Sequence, residues 1–226
     1  MINIYLKQVG IFQSEFGFPV TRHEANYLNA NLKLAEMGVI KPMRLGGWVR
    51  ATIGDVNIAF ERTNIKHLNL SMSTSDQMIQ GKFLGKKNRK DIINMMTDAV
   101  KLAKEKGALS VGVNAEDASR TDMNYLIEFT NAAKEAGAHR IRYCDTLGYD
   151  DHFTIYERIK LLAKETGMDI ELHCHNDLGL AVACSVAGAK GAVECGVDAY
   201  INTTVNGMGE RAGNADLVSV VLALKK

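Results

Sequence analysis

Proline is almost missing from this chain, with two residues in 226. That excludes proline-rich linkers, and no low-complexity tract takes their place. Long apolar runs are missing as well: nowhere do about eighteen apolar residues follow one another, as a membrane-spanning helix requires. The opening Met1-Ile2-Asn3-Ile4-Tyr5-Leu6-Lys7 lacks the basic, apolar and small-residue zones of a secretion signal, so the expectation is a cytoplasmic protein with no membrane partner. Charge of one sign is absent too. The 27 basic and 26 acidic residues nearly cancel, which gives no electrostatic case for nucleic acid and leaves a small anionic substrate open. Cys144, Cys174, Cys184 and Cys195 form no C-x-x-C pair, and they read as reduced thiols in a reducing compartment. The 46% apolar content is ordinary for a globular protein, and one domain over residues 1–226 is the expectation.

What is present is a recurring unit in which an amphipathic segment ends in a glycine and a short apolar run follows. Gly38, Gly107, Gly137, Gly167 and Gly196 all occupy this position, the last four about every thirty residues, the length of one βα unit. Glycine tolerates the left-handed backbone that closes a helix, and Asn64 fits the same slot after residues 55–62. Strand candidates follow at 43–49, 67–72, 109–113, 140–144, 169–173 and 199–203, with another at 9–16 ahead of the first helix. Regular alternation of strand and helix predicts a parallel sheet with helical crossovers, and the near-constant period favours a (β/α) barrel. Thr21-Arg22-His23-Glu24 is a capping box, Asp122 or Thr121 can cap the helix before Gly137, and 73–87 is the longest loop candidate. Seven strands are one short of the eight of a closed α/β barrel, and the N-terminus is where the eighth is missing.

Within this frame, Glu171-Leu172-His173-Cys174-His175-Asn176-Asp177 stands out. Residues i and i+2 of a strand share a face, so His173 and His175 present two imidazoles side by side and Cys174 turns to the other side. Two imidazoles leave room for oxygen ligands on a divalent metal. Barrels place chemistry at the C-terminal ends of their strands, where Glu15, Glu116, Asp117, Ser119, Arg120, Asp145, Thr146, Arg211 and Asn214 also fall. Several have a purely structural reading as well: Glu116 and Asp117 as charges at a helix N-terminus, Arg120 as a solvated cation, Asp145 as a cap, Thr146 as a turn residue. Asn206-Gly207-Met208-Gly209-Glu210-Arg211-Ala212-Gly213-Asn214 has the glycines of a phosphate loop or of a plain strand-to-helix turn.

Taken together, three strings resemble the homocitrate and isopropylmalate synthases, relatives of hydroxymethylglutaryl-CoA lyase with a metal-dependent TIM barrel. Residues 173–179 match H-x-H-N/D-D-x-G, and 206–214 match N-G-x-G-E-R-x-G-N. Residues 114–120 and 144–148 look most like the homocitrate synthases of nitrogen fixation. The resemblance implies a Claisen condensation of acetyl-CoA with 2-oxoglutarate, giving homocitrate and CoA. It implies a divalent metal (Mg, Mn, Fe or Zn) on His173 and His175 with Asn214, and Thr146 and Ser119 as substrate contacts. Arg120 would meet the distal carboxylate, with Glu15 and Glu116 at the catalytic rim. The family's first-strand R-D-G-x-Q string, whose aspartate is a metal ligand, is not found here, nor is a C-terminal lid or regulatory domain. The expectation is therefore an incomplete barrel that works with a complementary synthase subunit, as a homo-oligomer, or both. A lyase or an isopropylmalate- or citramalate-type synthase of the same family, and a non-catalytic subunit, are the competing readings.

Overall fold

The computed structural model describes residues 1–226. Helices and strands alternate as α1 (Ile2–Gln8), β1 (Gln13–Glu15), α2 (Arg22–Glu36), β2 (Arg44–Arg50), α3 (Ile53–Arg62), β3 (His67–Ser73), α4 (Asp76–Phe83), α5 (Arg89–Glu105) and β4 (Ser110–Glu116). They continue as a 3-10 turn (Ala118–Arg120), α6 (Met123–Ala136), β5 (Arg140–Asp145), α7 (His152–Thr166), β6 (Asp169–Cys174), α8 (Ala181–Val193), β7 (Ala199–Asn202), a second 3-10 turn (Val205–Gly207) and α9 (Leu217–Leu224). The strands form one sheet in the order β1-β2-β3-β4-β5-β6-β7. Neighbours run parallel, which obliges a crossover between strands, and a helix supplies it. This is the α/β, TIM-type arrangement with seven strands instead of eight.

The helix ends follow the glycine signal. Gly38, Gly107, Gly137, Gly167 and Gly196 all take positive φ, and the Thr21 hydroxyl accepts from the Glu24 N–H at 3.3 Å while donating to the Glu24 carboxylate at 2.9 Å. Three expectations are corrected. The N-terminal residues form helix α1 before the first strand, because Asn3 and Leu6, one turn apart, both turn inward: Asn3 Nδ2 donates to Asn31 Oδ1 at 3.0 Å, and Leu6 packs on Ile40, Met43 and Leu45. Asn64 is not a left-handed cap, since α3 ends in extended backbone at Thr63, whose hydroxyl donates to the Ala59 carbonyl. The loop at 73–87 contains α4, opened by the Ser75 hydroxyl, which accepts from the Met78 N–H at 3.2 Å.

The chain packs as two compact units. The first comprises residues 1–71, 94–113 and 136–138, and in it Glu15 at the end of β1 accepts a hydrogen bond from the Asn69 amide of β3. The second comprises 72–93, 114–135 and 139–226, with β5, β6 and β7 at its centre. There α8 lies against α7 with backbones almost touching: a Cβ on Gly191 would stand 2.7 Å from the Tyr156 carbonyl oxygen.

Candidate metal and substrate site

The second unit contains the residues that carry chemistry. Parallel strands buried on both faces are normally apolar on both, yet one face of β5, β6 and β7 presents Arg140, Arg142, Glu171, His173, Tyr200 and Asn202. The register places Arg142 beside Glu171 and His173 beside Asn202. Glu171 is buried and accepts from Arg140 Nε and Arg142 Nη2, each at 2.6 Å. Burial pushes its carboxyl up, but the charges of Arg142 and Arg140 outweigh that and hold it below the usual range. Asn202 Nδ2 reaches Glu171 at 3.5 Å, and Asn202 Oδ1 lies 2.8 Å from His173 Nδ1.

His173 and His175 do share a face. Their ring centroids are 5.1 Å apart, edge to face. Cys174 points the other way and is fully buried, which pushes its thiol well above its ordinary range. His175 is tied at the backbone, donating its N–H to the Asp145 carbonyl at 3.2 Å and bridging antiparallel to Asn214. Burial, reinforced by the Arg211 guanidinium, lowers the His175 pKa and favours the neutral ring that ligates metals. Its Nδ1 is buried and makes no hydrogen bond, an orphan donor atom of the kind a metal satisfies.

Asn214 is held in place by the loop that precedes it. Its side-chain amide donates to the Cys174 carbonyl at 3.4 Å, and its N–H to the Gly207 carbonyl at 2.9 Å. A Cβ at Gly209 would come within 1.8 Å of Asn214 Oδ1, so glycine there leaves the room this side chain occupies. The glycines of 206–214 thus serve a tight return of the chain onto β6. Arg211 locks the same return: Nε and Nη2 grip the Asp177 carboxylate at 2.8 and 3.0 Å, and Nη2 also reaches the Thr146 carbonyl at 2.5 Å.

The substrate candidates lie on the loops after β4 and β5. Asp117, fully buried with φ of 64°, takes Arg120 Nε at 3.0 Å, Arg120 Nη2 at 2.5 Å and the Ser75 hydroxyl at 2.5 Å. Arg120 is therefore aimed by an ion pair and is no loose surface cation. The Asp117 N–H donates to Thr146 Oγ1 at 2.8 Å, which fills an acceptor lone pair and leaves that hydroxyl proton to be given elsewhere. The Ser119 hydroxyl is buried next to this turn and faces the Asp145 carboxylate. Glu116 pairs with Lys82 at 2.6 Å and accepts a hydrogen bond from the Ser73 hydroxyl at 2.7 Å. Behind the turn, Arg158 donates to Tyr143 Oη and to the carbonyls of Ala118 and Thr121, each at 2.7 Å, and Tyr143 donates to Asp150 at 2.7 Å.

The structure therefore brings Glu116, Ser119, Arg120, Thr146, His173, His175 and Asn214 into one unit, with Glu15 in the other. No group of three or more His, Cys, Asp or Glu side chains is arranged to hold a metal ion. The two imidazoles fit two positions of a ligand set; the carboxylates of Asp145, Asp177 and Glu210 are near enough to act on the charge of His175 but are not arranged with the pair as ligands. Sequence reasoning missed Asn202, Arg140, Arg142 and the Asp177–Arg211 clamp. Two arginines alternating along a buried strand, with a glutamate two residues before His173, were the available signal.

Comparison with known proteins bears on the same residues. A family model described as HMGL-like matches residues 2–226. The chain is 64% identical to a protein named citrate (Re)-synthase from Dehalococcoides mccartyi, over all of this chain and 55% of that protein. It is 44% identical to a 2-isopropylmalate synthase of Caldanaerobacter subterraneus, over 97% of this chain and 54% of the relative. With a homocitrate synthase of a Nostoc species it shares 35% identity over 98% of this chain and 55% of the relative. The chain thus spans about half the length of the relatives it matches. Among solved structures, the HMG-CoA lyase of Brucella melitensis superposes with a TM-score of 0.71 at 15% identity, over 99% of this chain and 81% of that one, a likeness of fold.

Proposed function

The chain belongs to the HMGL-like family, and from that premise we propose that it forms the barrel part of a synthase that condenses acetyl-CoA with a 2-oxo dicarboxylic acid. The observation that carries the reading is the His173–His175 pair, braced by Asn202 and Asn214 beside the Thr146 hydroxyl and the aimed guanidinium of Arg120. In the reaction a base takes a proton from the methyl group of acetyl-CoA, the carbanion attacks the ketone carbon of the 2-oxo acid, the ketone oxygen takes up a proton to become the tertiary hydroxyl, and water cleaves the thioester to leave a carboxylate and the CoA thiol. His173 and His175, with Asn214, would hold a divalent cation (Mg, Mn, Fe or Zn). That ion, when bound, polarises the ketone. Thr146 donates a hydrogen bond from its hydroxyl to the carboxylate next to the ketone. Arg120 binds the distal carboxylate with the N–H groups that Asp117 leaves, which favours a dicarboxylic acid over an apolar one.

Two dicarboxylic acids compete. The motifs at 114–120 favour 2-oxoglutarate, with homocitrate as product. The 64% identity to a protein named for citrate supports the shorter oxaloacetate, and that is the substrate we favour. The R-D-G-x-Q strand is not within residues 1–226, so we assign it to a further part of the same polypeptide or to a complementary subunit.

CoA thiol release with oxaloacetate, 2-oxoglutarate and 2-oxoisovalerate tests the proposal, on the chain alone and co-expressed with a polypeptide bearing that strand. The expected result is no release alone, and release with the partner that is fastest with oxaloacetate and slowest with 2-oxoisovalerate. Robust release by the chain alone would refute the need for a partner. Absence of release from the complemented protein with every acid would refute the synthase.

A further inference from the structure

The buried charges beneath the histidine pair have a direction. Glu171 sits between two guanidiniums at 2.6 Å each, so it is ionised and can only accept hydrogen bonds. The side of the Asn202 amide that approaches it at 3.5 Å must therefore be Nδ2, which donates. That orientation turns Oδ1 toward His173, and an amide oxygen only accepts. At 2.8 Å, His173 Nδ1 must then carry the proton. Each role in the chain from Arg140 and Arg142 through Glu171 and Asn202 to His173 is forced by the one before it.

We propose that Glu171 and Asn202 are positioning residues that fix His173 as its Nδ1–H tautomer, so that Nε2 offers its lone pair at the site. This deepens the metal-site reading of the previous subsection and rests on it. A neutral histidine side chain in water prefers the opposite tautomer, with Nε2 protonated and unable to ligate through that atom. The hydrogen bond at one ring nitrogen decides the state of the other. Asn202 suits the task because it bonds two partners with opposite needs: an aspartate there would repel Glu171, and an aliphatic residue would give His173 no acceptor. The arginine pair explains why so much charge is buried on this face. It keeps Glu171 ionised, and an ionised Glu171 keeps Asn202 from flipping.

The test reads the tautomer directly, in the full chain without metal. With 15N-labelled histidine, chelator present and an alkaline buffer, long-range 1H–15N correlation spectra distinguish Nδ1–H from Nε2–H, and a His173→Gln variant assigns the signal. Wild type should show Nδ1–H. Asn202→Leu, which keeps side-chain bulk on a half-buried edge-strand position, should move His173 to Nε2–H, whereas Asn202→Asp retains an acceptor and should keep Nδ1–H. In calorimetric titration with MnCl2, the Leu variant should bind about 10–100-fold more weakly, and the Asp variant should recover most of that loss. An Nε2–H signal in wild type, or an unchanged Nδ1–H signal in Asn202→Leu, would overturn the proposal. A synthase reading that failed for want of CoA release would leave the tautomer result standing, so the two failures are distinguishable.

Discussion

Replacing Asp150 by asparagine should remove a pH dependence that burial imposes on the folded state. Asp150 is 2% exposed; Oδ2 accepts from the Tyr143 hydroxyl at 2.7 Å, and Oδ1 has no hydrogen-bond partner. Burial pushes its carboxyl from 3.8 up to about 6, the Tyr143 hydrogen bond opposing and the charge of Asp145 adding to the shift. Between these values the native state holds a proton that the unfolded chain has already released. The stabilisation is full below the unfolded pKa and is lost as pH rises through about 6. The span from 3.8 to about 6 corresponds to at most about 3 kcal/mol, at about 1.4 kcal/mol per decade of proton concentration. Asparagine is neutral throughout and escapes the loss. In urea unfolding, the stability of Asp150→Asn relative to wild type should rise by about 2 kcal/mol between about pH 4.5 and about pH 7.5. Parallel profiles for the two proteins would refute the reasoning, because they would mean that Asp150 titrates alike in both states.

Gly209→Ala would place a Cβ 1.8 Å from Asn214 Oδ1 and turn that side chain away; calorimetry should find divalent-ion affinity lower by about tenfold or more, and unchanged affinity would remove Asn214 from the ligand set. Arg158→Met deletes three hydrogen bonds of 2.7 Å behind the turn that carries Arg120. Denaturant titration should show a loss of about 2–4 kcal/mol, and amide exchange at Arg120 and Thr121 should quicken; a loss under about 1 kcal/mol would contradict the bracing role. Arg120→Lys replaces the fork that grips Asp117 with a point charge. In the complemented enzyme KM for the dicarboxylic acid should rise by about tenfold or more, which is about 1.4 kcal/mol, with little change for 2-oxoisovalerate; equal effects on both would remove Arg120 from substrate selection.

Periodicity made the parallel sheet legible, because α2, α5, α6, α7 and α8 are each followed by a positive-φ glycine, a backbone that glycine adopts at no steric cost. The bounds of β3, β5 and β6 fall within a residue or two of those read from the apolar runs. Helix α1 escaped because Ile2, Ile4 and Leu6 alternate as a strand would, and only the contacts of Asn3 and Leu6 reveal the helical face. At the site, strand alternation sufficed to put His173 and His175 on one face. It could not show what lies beside them, since Asn202 is 29 positions from His173 and its role depends on register. The glycines of 206–214 were ambiguous between an anion loop and a turn for a related reason: what a glycine permits is visible in sequence, but the atom that approaches it is not.

The return of 206–214 onto β6 also sets an order of events in biosynthesis. Asn214 leaves the ribosome 39 residues after His175 (214 − 175). At roughly 5–20 residues per second that is an interval of about 2–8 s. Throughout it the two imidazoles and the Cys174 thiol between them are already made, while the strand and loop that enclose them are not. Strand alternation alone turns that thiol to the far side of the sheet, so the loop, when it closes, brings Asn214 to the imidazoles and takes nothing from them.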